Sequence, residues 1–332
     1  MLTLPIIDRL CREATPKVSL ERRRCLRSRF NKNRCVRCLE ACPSGAVALR
    51  GNQITLDPEK CTDCRQCTAV CPNDAYRGGV DLLSLLKETA AKPVVLISCP
   101  KGVLSHEGIT VPCIGMFSEA MLAAMNMVTQ EQCHIDISQC QHCLNSHCLP
   151  AFQEKITSLG TRLLQEACEI RLTCHTGNLP ALPVTAKDER RSFLRRFQKN
   201  ITKLSKDTFS SRDAGRPCAP PGHEKKPPED ITALLHALSA APTERTREKK
   251  VLAAYFPSLS INGQCDLCPL CTAMCPTGAL QREKTEGERS LTFTSARCSG
   301  CGLCISFCRK KALTLTGGHS GDPAITQHLT TN

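Results

Sequence analysis

Short runs of cysteine dominate the chemistry that this sequence can do, because they hold most of its 26 cysteines among 332 residues. Three runs share the spacing C-x₂-C-x₂-C-x₃-C, followed by proline in two of them and by Arg309 in the third. Gaps of two residues turn a loop so that three sulfurs face one centre, while the fourth thiol points away from it. The regular runs are Cys61, Cys64, Cys67 and Cys71; Cys265, Cys268, Cys271 and Cys275; and Cys298, Cys301, Cys304 and Cys308.

The spacing of these runs favours iron–sulfur clusters over zinc. Zinc sites usually join two CxxC pairs across a longer span, whereas each regular run supplies four thiols in a row. Disulfides are not expected, because the thiols are crowded and because we expect a compartment that keeps them reduced.

A fourth run is irregular. The stretch "CVRCLEACP" supplies Cys35, Cys38 and Cys42, but Lys32 stands where the first cysteine of a regular run would be. The nearest upstream thiol is Cys25, which gives the spacing C-x₉-C-x₂-C-x₃-C-P. We predict that Cys25 is the displaced first ligand. Two alternatives remain, a three-ligand [3Fe–4S] cluster without this cysteine, or Cys11 in its place.

The composition favours a cytoplasmic metal protein over a secreted or nucleic-acid-binding one. The start "MLTLPIIDRLCREATP" lacks the pattern of a signal peptide, and no apolar stretch is long enough for a transmembrane segment. The formal charge is +13. A [4Fe–4S] core with four thiolates carries about −2, so four clusters would leave about +5. We therefore expect no nucleic-acid partner, and an acidic redox protein is the partner that the remaining charge suits.

An internal repeat relates the two ends of the chain. Residues 42–64 and 275–301 both run from a Cys-Pro through a Gly-Ala turn and a short hairpin into the next cysteine run. The repeat predicts two copies of one module, at 20–80 and 255–317.

The region between the copies has a different pattern. Apolar strands alternate with helical stretches over 92–178, which predicts a small parallel α/β layer. Residues 179–250 read as a basic, partly disordered linker with a helix. A basic helix is predicted near 187–206 within it.

The stretches "CTDCRQCTAVCPNDA", "CDLCPLCTAMCPTGA" and "CSGCGLCISFC" resemble bacterial two-cluster [4Fe–4S] ferredoxins. The resemblance implies a hairpin-plus-helix fold, low-potential one-electron transfer, and clusters whose fourth ligand comes from the other run. It makes the chain an α+β multidomain protein, with two ferredoxin-like dicluster modules flanking a small α/β parallel-sheet domain and a basic linker. The implied cluster ligands are Cys25, Cys35, Cys38 and Cys71; Cys61, Cys64, Cys67 and Cys42; Cys265, Cys268, Cys271 and Cys308; and Cys298, Cys301, Cys304 and Cys275.

Further cysteines follow the predicted strands of the middle region. They are Cys99, Cys113, Cys140, Cys143 and Cys148. Ligands collect at the carboxyl ends of parallel strands, so these thiols are candidates for a fifth metal centre. The layout "SCP", "PCIGMFSEAML", "CQHCLNSHC" resembles the delta subunit of methyl-viologen-reducing hydrogenases. We expect a [2Fe–2S] or [4Fe–4S] cluster there, with zinc or ordinary thiols as the alternatives.

The sequence has no catalytic group for substrate turnover that we recognise. It has no glycine-rich phosphate loop after any strand and no evident acid–base pair. We therefore expect an electron-transfer protein with four [4Fe–4S] clusters that serves as a subunit or partner of an anaerobic oxidoreductase. The alternatives are a thiol/disulfide or sulfur-handling oxidoreductase that uses the middle cysteines, and a redox sensor that uses the Cys25 cluster.

Overall fold

A computed structural model of the chain describes residues 18–78, 80–102, 108–177, 225–242, 244–285, 288–318 and 322–329. Cys11, the basic helix predicted near 187–206 and most of the predicted linker lie outside these ranges.

The N-terminal region is made of short elements around the first two cysteine runs. They are β1 (Ser19–Leu20), α1 (Leu26–Arg29), α2 (Arg37–Glu40), β2 (Val47–Arg50), β3 (Gln53–Leu56), α3 (Gln66–Val70) and β4 (Tyr76–Arg77). β2 and β3 form an antiparallel hairpin, and β1 pairs antiparallel with β4. Gly51 in the hairpin turn has a φ of +60°, a left-handed conformation that suits glycine. The small core of this region includes Val47, Ile54 and Tyr76 together with the buried thiols of Cys38 and Cys67.

The middle region contains a four-stranded parallel sheet in the order β6-β5-β7-β8. Its elements are α4 (Leu82–Ala90), β5 (Val94–Ser98), β6 (Ile109–Thr110), α5 (Glu119–Val128), β7 (Gln132–Asp136), α6 (Cys148–Gln165) and β8 (Leu172–His175). Side-chain caps start two of the helices, since Asp81 accepts hydrogen bonds from two backbone N–H groups of α4 and Ser118 accepts one from Met121. The alternation of strands and helices in the sequence predicted this parallel sheet. β8 is a further strand that the sequence did not predict.

Two helices pack on this sheet domain from further along the chain. They are α7 (Glu229–Ala240) and α8 (Thr246–Ala253). Leu234 and Ala237 of α7 and Leu252 of α8 are buried in the same core as Met121 and Met125 of α5. The described part of the segment 179–250 is therefore packed against the middle region.

The C-terminal region repeats the hairpin-and-helix pattern with longer strands. Its elements are β9 (Ser258–Ile261), α9 (Leu270–Met274), β10 (Leu280–Thr285), β11 (Glu288–Thr294), α10 (Leu303–Phe307), β12 (Leu313–Thr316) and β13 (Thr326–Leu329). β9 pairs antiparallel with β12, as β1 does with β4, and β10 and β11 form the hairpin. β13 adds a third strand beside β11 and lies beyond the predicted module end at 317. Both helical and sheet layers are therefore present, in agreement with the predicted α+β class.

Candidate metal centres

The loops of the regular cysteine runs owe their shape to left-handed residues between the cysteines. In the first run Asp63 and Arg65 have φ values of 58° and 63°, and in the last run Gly300 and Gly302 have φ values of 64° and 68°. Each such residue reverses the direction of the chain over a very short distance. The loop then continues into a one-turn helix that carries the third cysteine.

Thiols of the irregular run lie near the first regular run. Cys67 is buried, and its pKa is raised by burial and then by the charges of Cys64, Cys61, Cys42 and Cys38. Cys42 and Cys38 both belong to the irregular run, and Cys42 has the larger effect of the two. Thiols in such proximity raise one another's pKa because the second negative charge is disfavoured.

Cys25 also lies near the irregular run. Burial raises the pKa of Cys38, and the thiols of Cys35 and Cys25 raise it further. The pKa of Cys71 is raised to about 12, first by burial, and Cys38 is among its charged neighbours. The backbone N–H of Ala75 donates to the Cys71 sulfur at 3.2 Å. These thiols therefore share one neighbourhood that includes Cys25.

The C-terminal region groups its thiols in the same crossed way. The pKa of Cys271 is raised to about 11 by burial, then by Cys268 and Cys265, with Cys308 of the other run among the further causes. The pKa of Cys298 is raised by burial and then by Cys275, Cys301 and Cys304. The Ala312 N–H donates to the Cys308 sulfur at 3.3 Å, the counterpart of the Ala75 bond to Cys71.

The donor sets of both end regions suit iron–sulfur clusters. Each group offers four soft thiolates, a partly buried apolar surround and backbone N–H donors to sulfur, which are the features that clusters use. All 24 cysteines that the structure describes are free of disulfide bonds. The thiols are therefore available as metal ligands.

Four middle-region cysteines lie at the carboxyl ends of three neighbouring parallel strands. Cys99 follows β5, Cys113 follows β6, and Cys140 and Cys143 follow β7. The pKa of Cys140 is raised to about 12 by burial and then by Cys99, Cys143 and Cys113. The structure therefore places these four thiols near the carboxyl end of the sheet, around Cys140, although no three of their sulfurs lie within 4.8 Å of one another. Cys133 is fully buried within β7.

Cys148 contacts the N-terminal region. Its sulfur is 3.9 Å from the carbonyl oxygen of Cys64, and ligand atoms of Cys64, His147 and Cys148 lie within 4.8 Å of one another. The Cys148 thiol donates to Cys64 and Cys113, which raises its own pKa and lowers theirs. The sequence places His142 and His147 beside the CxxC pair, but it did not predict that His147 and Cys148 approach Cys64.

None of the helices in the described ranges is both long enough and apolar enough to cross a membrane.

Comparisons with known proteins agree with the cysteine pattern. The 4Fe-4S dicluster domain family matches residues 32–75 and 264–312. A "Ferredoxin-like protein in nif region" of Sinorhizobium fredii (strain NBRC 101917 / NGR234) is 43% identical over 44 residues, which are 11% of this chain and 69% of that protein. A protein of the same name from Rhizobium leguminosarum bv. trifolii is 39% identical over 44 residues, with the same coverage. No solved structure matches the chain.

The resemblance predicted from the cysteine runs is thus confirmed, and each dicluster domain implies two [4Fe–4S] clusters. The chain belongs to the 4Fe-4S dicluster family of ferredoxin-like proteins.

Proposed function

We propose that this ferredoxin-like chain relays single electrons through four [4Fe–4S] clusters, two in each end region. The observation that carries the proposal is the crossed grouping of thiols. In each end region the last cysteine of one run lies among the first cysteines of the other, as paired clusters require. When bound, the clusters supply the one-electron chemistry, and the chain supplies thiolates, N–H donors and burial.

The proposed ligand sets follow the thiol neighbourhoods. Cys25 takes the first position of the irregular run, because it lies near Cys38, as Cys35 does. The proposed sets are Cys25, Cys35, Cys38 and Cys71; Cys61, Cys64, Cys67 and Cys42; Cys265, Cys268, Cys271 and Cys308; and Cys298, Cys301, Cys304 and Cys275.

We propose the same division of the chain as the sequence predicted. The dicluster modules are 20–80 and 255–317, and they flank the α/β domain 92–178 and the segment 179–250. The matched ranges 32–75 and 264–312 lie inside the two modules and support this division.

A fifth centre in the middle region is part of the proposal. Cys99, Cys113, Cys140 and Cys143 are its proposed ligands, and their convergence beside Cys140 supports it. Four thiolates suit a [2Fe–2S] or a [4Fe–4S] cluster, with zinc as the alternative metal. Cys148 is left as the contact with Cys64 of the N-terminal region.

The proposed setting is a reducing cytoplasm, and the proposed partners are redox proteins with acidic surfaces that belong to an anaerobic oxidoreductase. The dense cysteine runs suit a reducing compartment, and the net charge of +13 suits acidic partners. A thiol-based enzyme would have to use Cys99 or Cys143, since these two middle thiols are partly exposed whereas Cys113 and Cys140 are buried. Reactive thiols need access to their substrate.

Iron and sulfide analysis of the anaerobically purified chain tests the cluster number. Four clusters predict about 16 iron atoms per chain, and a metallated middle site adds more. About eight iron atoms, with one pair of clusters in the reduced EPR spectrum, would contradict the proposal.

Substitution of Cys25 tests the irregular ligand set in the same experiment. We expect Cys25→Ser to lose up to about four iron atoms and to leave the C-terminal clusters intact. Cys174→Ser is the matched control, since Cys174 lies on β8 outside the proposed ligand sets. An unchanged reduced EPR spectrum in Cys25→Ser would show that Cys25 is not a ligand.

A further inference from the structure

We propose that α1, the one-turn helix between Cys25 and Cys35, is the junction through which electrons pass between the two dicluster regions. On this helix, Arg29 is a positioning residue that donates to sulfur at the C-terminal centre of Cys275, Cys298, Cys301 and Cys304. The inference rests on the proposed function and assigns a role to the longest gap in the four cysteine runs.

The gap inserts α1 directly after a proposed ligand. Cys25 is the N-cap of α1, and the backbone N–H of Arg29 donates to the Cys25 carbonyl at 3.1 Å. One helical turn rises about 5.4 Å, so Cys25 and Arg29 mark the two ends of a very short segment. A regular run has only two residues at this position and has no room for such a helix.

Interactions on one side hold the inserted loop on the N-terminal region. The Arg27 Nε donates to the Cys35 carbonyl at 2.6 Å, and its Nη1 donates to the Asn52 side chain at 2.7 Å. The Asn52 amide donates in turn to the Asn31 carbonyl at 2.5 Å. Arg27 therefore makes these hydrogen bonds within the N-terminal region, which carries Cys25.

The end of the loop contacts the C-terminal region. The ring of Phe30 lies 4.2 Å, centroid to centroid, from the ring of Phe307. Phe307 is the last residue of α10 and directly precedes Cys308. Aromatic pairs at this distance stabilise a contact by about 0.5–1.5 kcal/mol beyond the burial of area. The two cluster-bearing segments therefore touch at this pair.

Arg29 faces the C-terminal thiols. Burial lowers its pKa, while the charges of Cys275 and Cys301 raise it. Its Nε is buried and finds no hydrogen-bond partner among the described residues. A buried donor without an acceptor is unfavourable. No described cysteine sulfur lies within hydrogen-bond distance of the Arg29 Nε, so the acceptor would be an inorganic sulfide of the cluster bound there. This unpaired donor is the observation that points to the centre.

A second contact fixes the spacing of the two regions. Lys225 lies just before α7, and its ammonium group donates a hydrogen bond to the Thr272 carbonyl at 3.1 Å. The next residue, Lys226, accepts at its carbonyl from Arg24 at 3.2 Å. Arg24 directly precedes Cys25, so the junction is held from both sides.

The transfer at the junction moves one electron and makes or breaks no bond. One dicluster region is oxidised by one electron and the other is reduced by one. The positive charge of Arg29 favours the more negative, reduced state of the centre it faces, and so raises the reduction potential of that centre.

Potentiometric EPR titration of the full-length, cluster-loaded chain tests the role of Arg29. In Arg29→Gln we expect a lower midpoint potential for one C-terminal cluster and unchanged potentials for the others. The affected cluster is identified as the one whose signal is lost in Cys301→Ser. Arg29→Lys keeps the charge and should retain most of the wild-type potential. Arg23→Gln is the matched control, because it removes the same charge from an exposed site just before Cys25.

The outcomes separate this inference from the proposed function. Three results in Arg29→Gln would overturn the proposed role of α1 and Arg29. They are a change of midpoint potential confined to an N-terminal cluster, a change equal to that in Arg23→Gln, or no change at all. An iron content of about eight in the wild-type chain would instead overturn the four-cluster proposal, whatever Arg29 does. If Arg29→Gln fails to bind all its clusters, EPR shows which signal is missing. Loss of the C-terminal signal assigned by Cys301→Ser, with recovery in Arg29→Lys, supports the inference, whereas loss confined to the N-terminal clusters contradicts it.

Discussion

The same polar contacts recur at equivalent cysteines of the two repeats. The backbone N–H of Ala75 reaches Cys71 at 3.2 Å, and the N–H of Ala312 reaches Cys308 at 3.3 Å. Hydroxyls lie beside the last thiol of the first run in each repeat as well, with Ser44 at 3.6 Å from Cys42 and Thr277 at 3.5 Å from Cys275. Such donors stabilise negative charge on sulfur and so favour the thiolate and the reduced cluster. Because Cys308 keeps this contact without a following proline, the proline is not needed for it.

Asp74 makes a residue-scale prediction about pH. Its pKa is raised from 3.8 to about 6, first by burial and then by Asp230, although Arg24 and Arg77 oppose the shift. A carboxyl whose pKa is raised on folding stabilises the fold below pH 4, and this stabilisation is lost as pH rises through about 6. The backbone N–H of Glu229 donates to Asp74 at 2.7 Å, a bond that an amide oxygen can also accept.

We therefore expect Asp74→Asn to be more stable than the wild type at pH 7.5, by on the order of 2 kcal/mol. The gain should shrink by about 1 kcal/mol at pH 5, where the wild-type carboxyl is largely protonated when folded. Denaturant unfolding under anaerobic conditions at the two pH values measures this difference. Asp57→Asn is the control, since Asp57 is on the surface. A gain that is equal at both pH values would contradict the assignment.

At the scale of elements, the periodicity of the sequence predicted individual helices and strands but not how distant segments pack on one another. The apolar strands and the helices of the middle region could be predicted, because their burial leaves a regular pattern in the sequence. β8 and β13 could not be predicted, since "LTCH" has polar residues at two of its four positions and "TQHL" at three. The packing of α7 on α5 depends on two surfaces far apart in the chain, and no local pattern records it.

The same distinction applies to the candidate sites. Spacing within a run could predict which cysteines belong to it, and strand order could predict that Cys99, Cys113 and Cys140 meet. The approach of Cys148 to Cys64 could not be predicted, because it depends on how the middle region docks on a loop more than 80 residues away. Their ligand roles stay predictions.

Gly115 controls that docking. It lies in the 3₁₀ turn Ile114–Met116 that follows Cys113. A Cβ at Gly115 would meet the Cys64 carbonyl oxygen at 2.2 Å and the Cys148 sulfur at 2.9 Å. Neither the backbone of a cysteine run nor a thiol buried to 1% exposure can move aside easily.

We expect Gly115→Ala to destabilise the chain by about 1–3 kcal/mol and to expose Cys148. Chemical unfolding gives the free energy, and mass spectrometry after brief alkylation gives the exposure of Cys148. Gly177→Ala is the matched control, because a Cβ at Gly177 meets no atom within 4 Å. Equal stability and equal alkylation in the two variants would show that the regions do not pack closely at Gly115.

At the scale of the whole molecule, the candidate centres form a sequence of neighbours. Cys148 contacts both Cys113 of the middle region and Cys64 of the N-terminal region, and α1 connects the N-terminal region to the C-terminal one through Phe30. The apolar core is distributed differently. One large cluster of buried side chains holds the parallel sheet with α7 and α8, whereas each end region has a small core that includes its own cysteines.

This distribution predicts what metal removal does. The end regions have few apolar side chains to bury, so their folding depends on the free energy of cluster binding. The middle region buries Phe117, Phe152 and Met125 completely and needs no metal for that packing.

We expect anaerobic chelation to unfold residues 18–78 and 258–316 and to leave the parallel sheet folded. Hydrogen exchange of the apo chain should show lost protection in β2, β3, β10 and β11 and retained protection in β5 and β7. Loss of protection in all strands together would mean that the chain folds as one cooperative unit held by its clusters, and the division into regions with separate cores would be wrong.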